Sequence, residues 1–309
     1  MGAAEMHPTR CAICRTEGEA IELYPANCDF SSFTPAVFSA RRAPDGIHYR
    51  MVRCNRCGLV RADPAAEPGS LAHLYARSAF TYGDEVADLR HTYGRALSGL
   101  DAWGARKGDL LEIGCGNGFF LEEALDRGYA RVRGVEPGSD VVAQAHPRVR
   151  PFVACDVMRP GLFAPGAFDV ICMFQVLDHI PDPAALLGEC LTALRSGGLV
   201  LCVTHNAESL SARILGERSP IVDIEHTYLY CPSTLSRLFA ASGFEVLRVG
   251  AIRNRYSLRY LSHLAPLPHV LKRMLLAATG RTSLGRIRLD FQLGNMALVA
   301  RRGQAGGPA

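Results

Sequence analysis

Three alternate glycines at the end of an apolar run constrain this chain more than any other feature. Leu110-Leu-Glu-Ile113 leads into Gly114-Cys-Gly116-Asn-Gly118, and the apolar residues that follow from Phe119 recur at helical spacing. A strand that turns through glycines into a helix opens a βαβ unit. Glycine permits the tight turn and lets a ligand approach the main chain with no Cβ in the way. On its own such a loop serves a dinucleotide or is simply a turn. Here the spacing is G-x-G-x-G, which differs from the G-x-G-x-x-G of pyrophosphate sites. Glu112 stands two residues ahead of the first glycine, where a carboxylate repels a pyrophosphate and attracts an ammonium group.

Residues 109 to 204 alternate strand-like and helix-like runs, the pattern of a parallel sheet built from βαβ units. Strands are expected at Leu110 to Ile113, Arg131 to Val135, Arg150 to Val153, Phe168 to Phe174 and Leu199 to Thr204. Helices are expected at Phe119 to Arg127 and Pro183 to Arg195, and the Gly197-Gly198 pair suits a helix end before the chain re-enters the sheet. A helix at Pro232 to Ser242 and strands at Phe244 to Val249 and Asn295 to Ala300 complete an α/β domain. Ahead of it, Leu71, Leu74, Tyr75, Leu89, Tyr93 and Leu97 step by three and four through a helical stretch, Ser70 to Trp103. Residues 1–62 are short apolar pieces broken by Cys, Pro and Gly.

Two acidic residues extend the glycine loop into a site. Glu136, in Gly134-Val-Glu-Pro-Gly138, follows the loop by about 20 positions, where a ribose diol is bound. Asp156, just past the third expected strand, can accept a hydrogen bond from an adenine amino group. Either alone reads as a solvated loop carboxylate. Together with the glycines they fall at the carboxyl ends of strands one, two and three, where open α/β sheets bind ligands.

Residues 109 to 204 resemble class I S-adenosylmethionine (SAM)-dependent methyltransferases. The likeness is carried by Glu112-Ile-Gly-Cys-Gly-Asn-Gly118, Gly134-Val-Glu-Pro137, Cys155-Asp156, Phe168-Asp-Val-Ile-Cys-Met-Phe-Gln-Val-Leu-Asp-His179 and Leu194-Arg-Ser-Gly-Gly-Leu-Val-Leu-Cys202. It implies a Rossmann-like, seven-stranded, mostly parallel sheet whose last strand is antiparallel. It also implies that Glu112, Gly114, Gly116, Asn117 and Gly118 cradle the methionine part, that Glu136 holds the ribose and that Asp156 faces the adenine. Pro137, Val157 and Gln175 complete the expected cofactor set.

Cys11-Ala-Ile-Cys14 and Cys54-Asn-Arg-Cys57 are two C-x-x-C knuckles with 39 residues between them. Two such pairs supply four thiolates to a tetrahedral structural Zn²⁺ with no open position. The organisation is therefore read as a zinc-binding module at 1–62, a helical linker at 63–104 and a methyltransferase domain at 105–302. Cys28 is a spare thiol, expected buried; Cys115, Cys155, Cys172, Cys190 and Cys202 stand singly and read as small buried hydrophobes in a reducing compartment. A zinc module ahead of a SAM fold resembles certain sugar C-methyltransferases and other methyltransferases of glycan and natural-product pathways. Glu225-His-Thr-Tyr-Leu-Tyr230 is similar to the Glu-His-x-x-Tyr-Phe stretch of the sugar enzymes, although Leu229 takes the place of the first aromatic residue.

The chain of 309 residues is 48% hydrophobic and carries a formal charge of +4. With no apolar leader at Met1 to Arg10 and no long apolar run, a cytoplasmic protein is expected. The charge is uneven: residues 253–290 hold Arg253, Arg255, Arg259, Lys272, Arg273, Arg281, Arg286 and Arg288 against Asp290 alone. Within this insert Val270, Leu271, Met274, Leu275 and Ala278 can share one helix face. Such a helix packs on the core, caps the acceptor, joins two copies, or lies peripherally on anionic lipid. The sequence sets no oligomeric state.

Methyl transfer needs alignment and, for many acceptors, a base. His226, beside Glu225, is the first candidate, with Glu225 orienting the ring; His179 is the second, and His205-Asn206 also face the acceptor side. The acceptor is expected to be a small molecule: a sugar or nucleotide-linked sugar, a glycan precursor or a natural-product intermediate. The alternative is an RNA methyltransferase whose zinc module and basic insert hold the backbone. Against nucleic acid, Gln175-Val-Leu-Asp178 is unlike the Asn-Pro-Pro-Tyr type of motif, and residues 1–62 are not notably basic. A SAM-binding protein without activity is a third reading.

Overall fold

The computed structural model describes residues 6–29, 33–35, 37–39, 46–77, 83–265, 267–280 and 282–303; Arg281 and residues 78–82 of the linker lie outside them. The N-terminal part forms β1 (Met6–His7), β2 (Ala20–Tyr24), β3 (Met51–Cys54), β4 (Val60–Ala62), β5 (Ala65–Ala66), α1 (Pro68–Ala76) and α2 (Val86–Ser98). The central part runs β6 (Asp109–Ile113), α3 (Phe119–Asp126), β7 (Arg131–Val135), α4 (Ser139–Ala143), β8 (Val153–Ala154), β9 (Phe168–Phe174), α5 (Pro183–Ala193), β10 (Leu194–His205) and α6 (Leu210–Leu215). It is followed by β11 (Tyr228–Leu229), α7 (Pro232–Ala241), β12 (Phe244–Ala251), β13 (Asn254–Ser257), α8 (Leu258–Leu264), α9 (His269–Thr279), β14 (Arg288–Phe291) and β15 (Asn295–Arg302).

Seven strands make the main sheet in the order β12-β15-β10-β9-β6-β7-β8. β8, β7, β6, β9 and β10 are parallel, and β15 inserts antiparallel between β10 and β12. All seven residues of β9 are buried, as expected for a strand covered on both faces. Side chains alternate between the two layers. Leu110, Val170 and Leu201 pack with Tyr93, Leu97 and Phe120 on the α2–α3 side. Leu111, Ile171 and Val200 pack with Leu187, Leu235 and Phe239 on the α5–α7 side.

The third strand departs from expectation. Arg150–Phe152 is a 3-10 turn and only Val153–Ala154 pairs with β7. Pro151 has no N–H to donate and interrupts the strand two residues before pairing begins at Val153. The helix expected to reach Arg195 stops at Ala193, and the chain enters β10 at Leu194 with an irregular step in pairing before Leu199. The expected helical stretch from Ser70 to Trp103 is two α-helices, α1 and α2, with a 3-10 turn on each side of α2.

A second sheet, β11-β4-β3-β2, joins the N-terminal and C-terminal halves of the chain. Tyr228 pairs with Arg61 and Leu229 with Val60, so a strand from the C-terminal half completes the sheet of the N-terminal half. Around it Tyr49, Met51 and Val60 share a core with Leu71 and Leu74 of α1 and with Ile221, Val222 and Ile224. The insert between β12 and β15 is a structured unit: β13 and β14 pair antiparallel, and α8 and α9 lie between them. No helix among the described residues is long and apolar enough to cross a membrane.

Candidate active site

A cavity of about 960 Å³ opens at the carboxyl ends of the parallel strands. Its size is at the upper end of the about 300–1,000 Å³ usual for small-molecule sites. Gly114, Gly116, Glu136, Pro137, Asp156, Val157 and Gln175 line one end. The glycine loop is built for close approach: Gly114 has φ of 68°, and a Cβ there would stand 2.4 Å from Val176 Cγ2. The Gly116 N–H donates to Glu136 Oε2 and the Gly138 N–H to Glu136 Oε1, each at 3.0 Å. Glu136 thus clasps the loop of the first strand to that of the second. Burial raises its pKa, and those two N–H groups oppose the rise.

Glu112, Asn117 and Gly118 are not among the residues that line the cavity. Glu112 is buried behind the loop, and burial together with Glu136 pushes its carboxyl well above the usual range. Glu112 Oε2, Asn117 Oδ1 and both amide atoms of Gln175 are buried without a hydrogen-bond partner. Gln175 also holds a φ of 56°, a conformation that non-glycine residues adopt rarely and mostly at functional sites. These orphaned polar groups at the strand ends suit a ligand that brings its own donors and an ammonium group, as SAM does. Asp156 accepts from its neighbour's N–H at Val157 and from Arg159, whose guanidinium holds the carboxyl below its usual range. Arg159 also lines the cavity and carried no sequence signal.

The other end of the cavity centres on Asp178, which sequence reasoning did not single out. Its carboxylate is 2% exposed and three imidazoles surround it. His205 Nδ1 lies 2.8 Å from Asp178 Oδ2, His226 Nε2 lies 3.8 Å from the same oxygen, and His179 Nε2 lies 3.8 Å from Oδ1. Burial acts to raise the Asp178 pKa, but the His205 hydrogen bond and the three rings hold it ionised, well below the carboxylate range. Burial pushes His179 down to about 3 in spite of Asp178, so the ring is neutral and exchanges a hydrogen bond with the Tyr75 hydroxyl at 3.0 Å. His226 Nδ1 donates to the Ile221 carbonyl at 2.8 Å, which leaves Nε2 as the acceptor nitrogen. The Ile221 carbonyl thus orients His226, whose Nε2 stands 3.8 Å from Asp178 Oδ2. His179, His205, Glu225 and His226 all line the cavity, with Asp223 beside them. The ligand atoms of Asp178, His179 and His226 lie within 4.8 Å of one another, close enough to share a cation.

Apolar walls surround this end. Leu71 and Tyr75 from α1, Ile214 and Leu215 from α6, Ile221, and Tyr256, Tyr260 and Leu261 from the insert all face the cavity.

The four paired cysteines meet in a cluster whose sulfur atoms all lie within 4.8 Å of one another. Cys11–Cys57, Cys14–Cys54 and Cys14–Cys57 sulfurs are 3.3, 3.5 and 3.9 Å apart. A tetrahedron of about 2.3 Å metal–sulfur bonds has edges of about 3.8 Å, so the donor set fits zinc. Cys115, Cys172, Cys190 and Cys202 are buried as expected, but Cys155 is exposed and Cys28 only half-buried. Cys155 follows directly on the short β8, the edge strand of the sheet among the described residues.

The fold, the glycine loop and the ordered carboxylates define a class I SAM-dependent methyltransferase. The chain belongs to the methyltransferase-domain family, whose model matches residues 85–249, more than half of its length. It is 28% identical over 171 residues to the ubiquinone biosynthesis O-methyltransferase of Burkholderia pseudomallei (strain 1710b), covering 50% of this chain and 73% of that one. To the enzyme of the same name from Colwellia psychrerythraea it is 33% identical over 104 residues, 31% of this chain and 42% of that one. Among solved structures it is similar to a chain in the complex of the Haloferax volcanii Trm112 methyltransferase activator with a methyltransferase. That match has a TM-score of 0.52 at 16% identity and covers 72% of this chain and 93% of that one. A Bacillus halodurans methyltransferase structure gives 0.50 at 15% identity, covering 68% and 99%. Likeness at these identities concerns the fold.

Proposed function

We propose that the chain methylates a hydroxyl group on a largely apolar small molecule, with a histidine held by Asp178 taking the hydroxyl proton. The observation that carries this is the 2.8 Å contact between buried Asp178 and His205 at the acceptor end of the cavity. An ionised carboxylate bonded to Nδ1–H fixes the imidazole tautomer and leaves Nε2 basic, the arrangement by which Asp orients a histidine base in hydrolases. SAM supplies an electrophilic methyl group. Glu136 holds the ribose, Asp156 faces the adenine, and the glycine loop with Gln175 receives the methionine part. His226 is a second reading for the base, favoured by its Nδ1 bond to the Ile221 carbonyl, which turns Nε2 into an acceptor.

The walls select the acceptor. Apolar side chains of α1, α6 and the insert suit a hydrophobic natural-product intermediate. A nucleotide-linked sugar or an RNA phosphate would meet Asp178, Asp223 and Glu225, so both are disfavoured. The relatives named for ubiquinone biosynthesis are O-methyltransferases, which supports oxygen as the acceptor atom.

The cysteine cluster is proposed to hold one structural zinc, with module boundaries at 1–62, 63–104 and 105–302. The module's role is to brace the acceptor end. Ala62 N–H donates to the Thr227 carbonyl at 2.8 Å, and Thr227 N–H donates to the Asp178 carbonyl at 2.9 Å. Zinc held by Cys54 and Cys57 would steady β4, which through Thr227 supports the segment that carries His226 and the Asp178 turn. The seven cysteines outside the cluster are free thiols, which supports a reducing, cytoplasmic setting.

Incubation with methyl-labelled SAM and a panel of hydroxylated aromatic and prenylated acceptors tests the reading. Label in an ether product supports it; label found only in sugar nucleotides or RNA rejects it.

A further inference from the structure

The insert carries a feature that the proposed chemistry does not use. Seven of the twelve exposed large apolar residues among the described ones lie between 267 and 289: Leu267, Val270, Leu271, Met274, Leu284, Ile287 and Leu289. On α9, Val270 and Met274 are 63% and 64% exposed and stand one turn apart, with Leu271 beside them. They are held on a firm base. Thr279 Oγ1 of α9 donates to Ser262 Oγ of α8 at 3.0 Å, and Gly285 packs so tightly that a Cβ would stand 1.8 Å from the Thr279 carbonyl oxygen. The inner side of the same unit, through Tyr260 and Leu261 of α8, lines the acceptor cavity.

The insert's own charges are positive except for one carboxylate, although Asp88 of α2 pairs with Arg288. Arg273 and Arg286 are exposed and Lys272 lies half-buried beside them. The single carboxylate of the insert, Asp290, is already engaged by Arg255 and Arg95. Exposed Val, Leu and Met ringed by cations match an interfacial helix, whose apolar side enters the acyl boundary while its basic side meets lipid phosphates. RNA would use the cations but leave the apolar residues in water. A second copy on a two-fold axis would set Arg273 and Arg286 against cations of the same kind.

We propose that the outer face of α9 and the turn at Leu284–Arg286 docks on an anionic lipid bilayer, placing the insert wall of the acceptor cavity at the membrane surface. The test is co-sedimentation of the full chain with vesicles of phosphatidylcholine alone or mixed with phosphatidylglycerol, at low and high salt. Binding is expected to phosphatidylglycerol vesicles and to weaken with salt. Lys272→Ala with Arg273→Ala should lower it about 30-fold, from roughly 1 kcal/mol per cation near the surface. Met274→Asp should lower it at least about tenfold by removing apolar insertion. Both variants should keep SAM affinity by calorimetry, which separates loss of docking from loss of fold. Three results would overturn the proposal: no preference for phosphatidylglycerol, undiminished binding by Met274→Asp, or a dimer or RNA complex lost in these variants without any vesicle binding.

Discussion

Asp178 and His205 stand 27 residues apart in sequence, yet His205 Nδ1 lies 2.8 Å from Asp178 Oδ2. The cause is strand register. Phe174 of β9 pairs with Val203 of β10, so the residues that leave the carboxyl ends of these parallel neighbours emerge side by side. Asp178 sits in the turn after β9 and His205 is the last residue of β10. The Thr227 N–H then closes on the Asp178 carbonyl and brings in the segment that bears His226.

Glu136→Ala should weaken SAM binding by about 1.5–3 kcal/mol, the range for hydrogen bonds to a charged group. Part of that loss comes from the protein, because Glu136 also accepts the Gly116 and Gly138 N–H groups that shape the loop. Calorimetry with SAM checks it, and unchanged affinity would remove Glu136 from the site.

Purified protein should contain one zinc per chain, and Cys54→Ser should lose it. Through the path from β4 to Thr227 and Asp178, metal loss should lower kcat by roughly 10²-fold, the effect of small misplacement of reacting groups. SAM affinity should survive, since the cofactor end rests on β6, β7 and β9. Equal loss of both, or none of either, contradicts the bracing role.

The neutral His179 makes stability depend on pH. Its folded pKa of about 3 lies below the ordinary histidine value, so the unfolded chain binds the proton first. Stability is therefore lost as pH falls from about 6.5 toward 3, with a slope of at most about 1.4 kcal/mol per pH unit from this group. Urea midpoints across that range should fall more steeply for the native chain than for His179→Gln; parallel curves would show that the ring is not held neutral.

The sheet was legible in the sequence wherever burial is continuous. The apolar run Val170–Phe174 and the run after Gly198 admit little but covered strands. Arg150 to Val153 was not, because Pro151 breaks a segment whose apolar residues alone suggest pairing. The cysteine cluster was visible through its spacing, whereas the joining of β11 to β4 depends on a long-range pairing of two short strands and left no local pattern. Asp178 stood in the quoted stretch beside His179, but a carboxylate next to a histidine is common. Only the meeting of β9, β10 and the segment before β11 makes it a hub.

We propose that a histidine fixed by Asp178 removes a hydroxyl proton during methyl transfer. Its most direct test is kcat against pH, with a hydroxylated acceptor that turns over, for the native chain and for Asp178→Asn, His205→Asn and His226→Asn. Asp178→Asn and His205→Asn are each expected to lower kcat roughly 10²–10⁴-fold, to lose the acidic limb of the profile and to add little to each other, while SAM still binds. A large loss confined to His226→Asn moves the base to that ring. Native kcat in all three variants would contradict the claim.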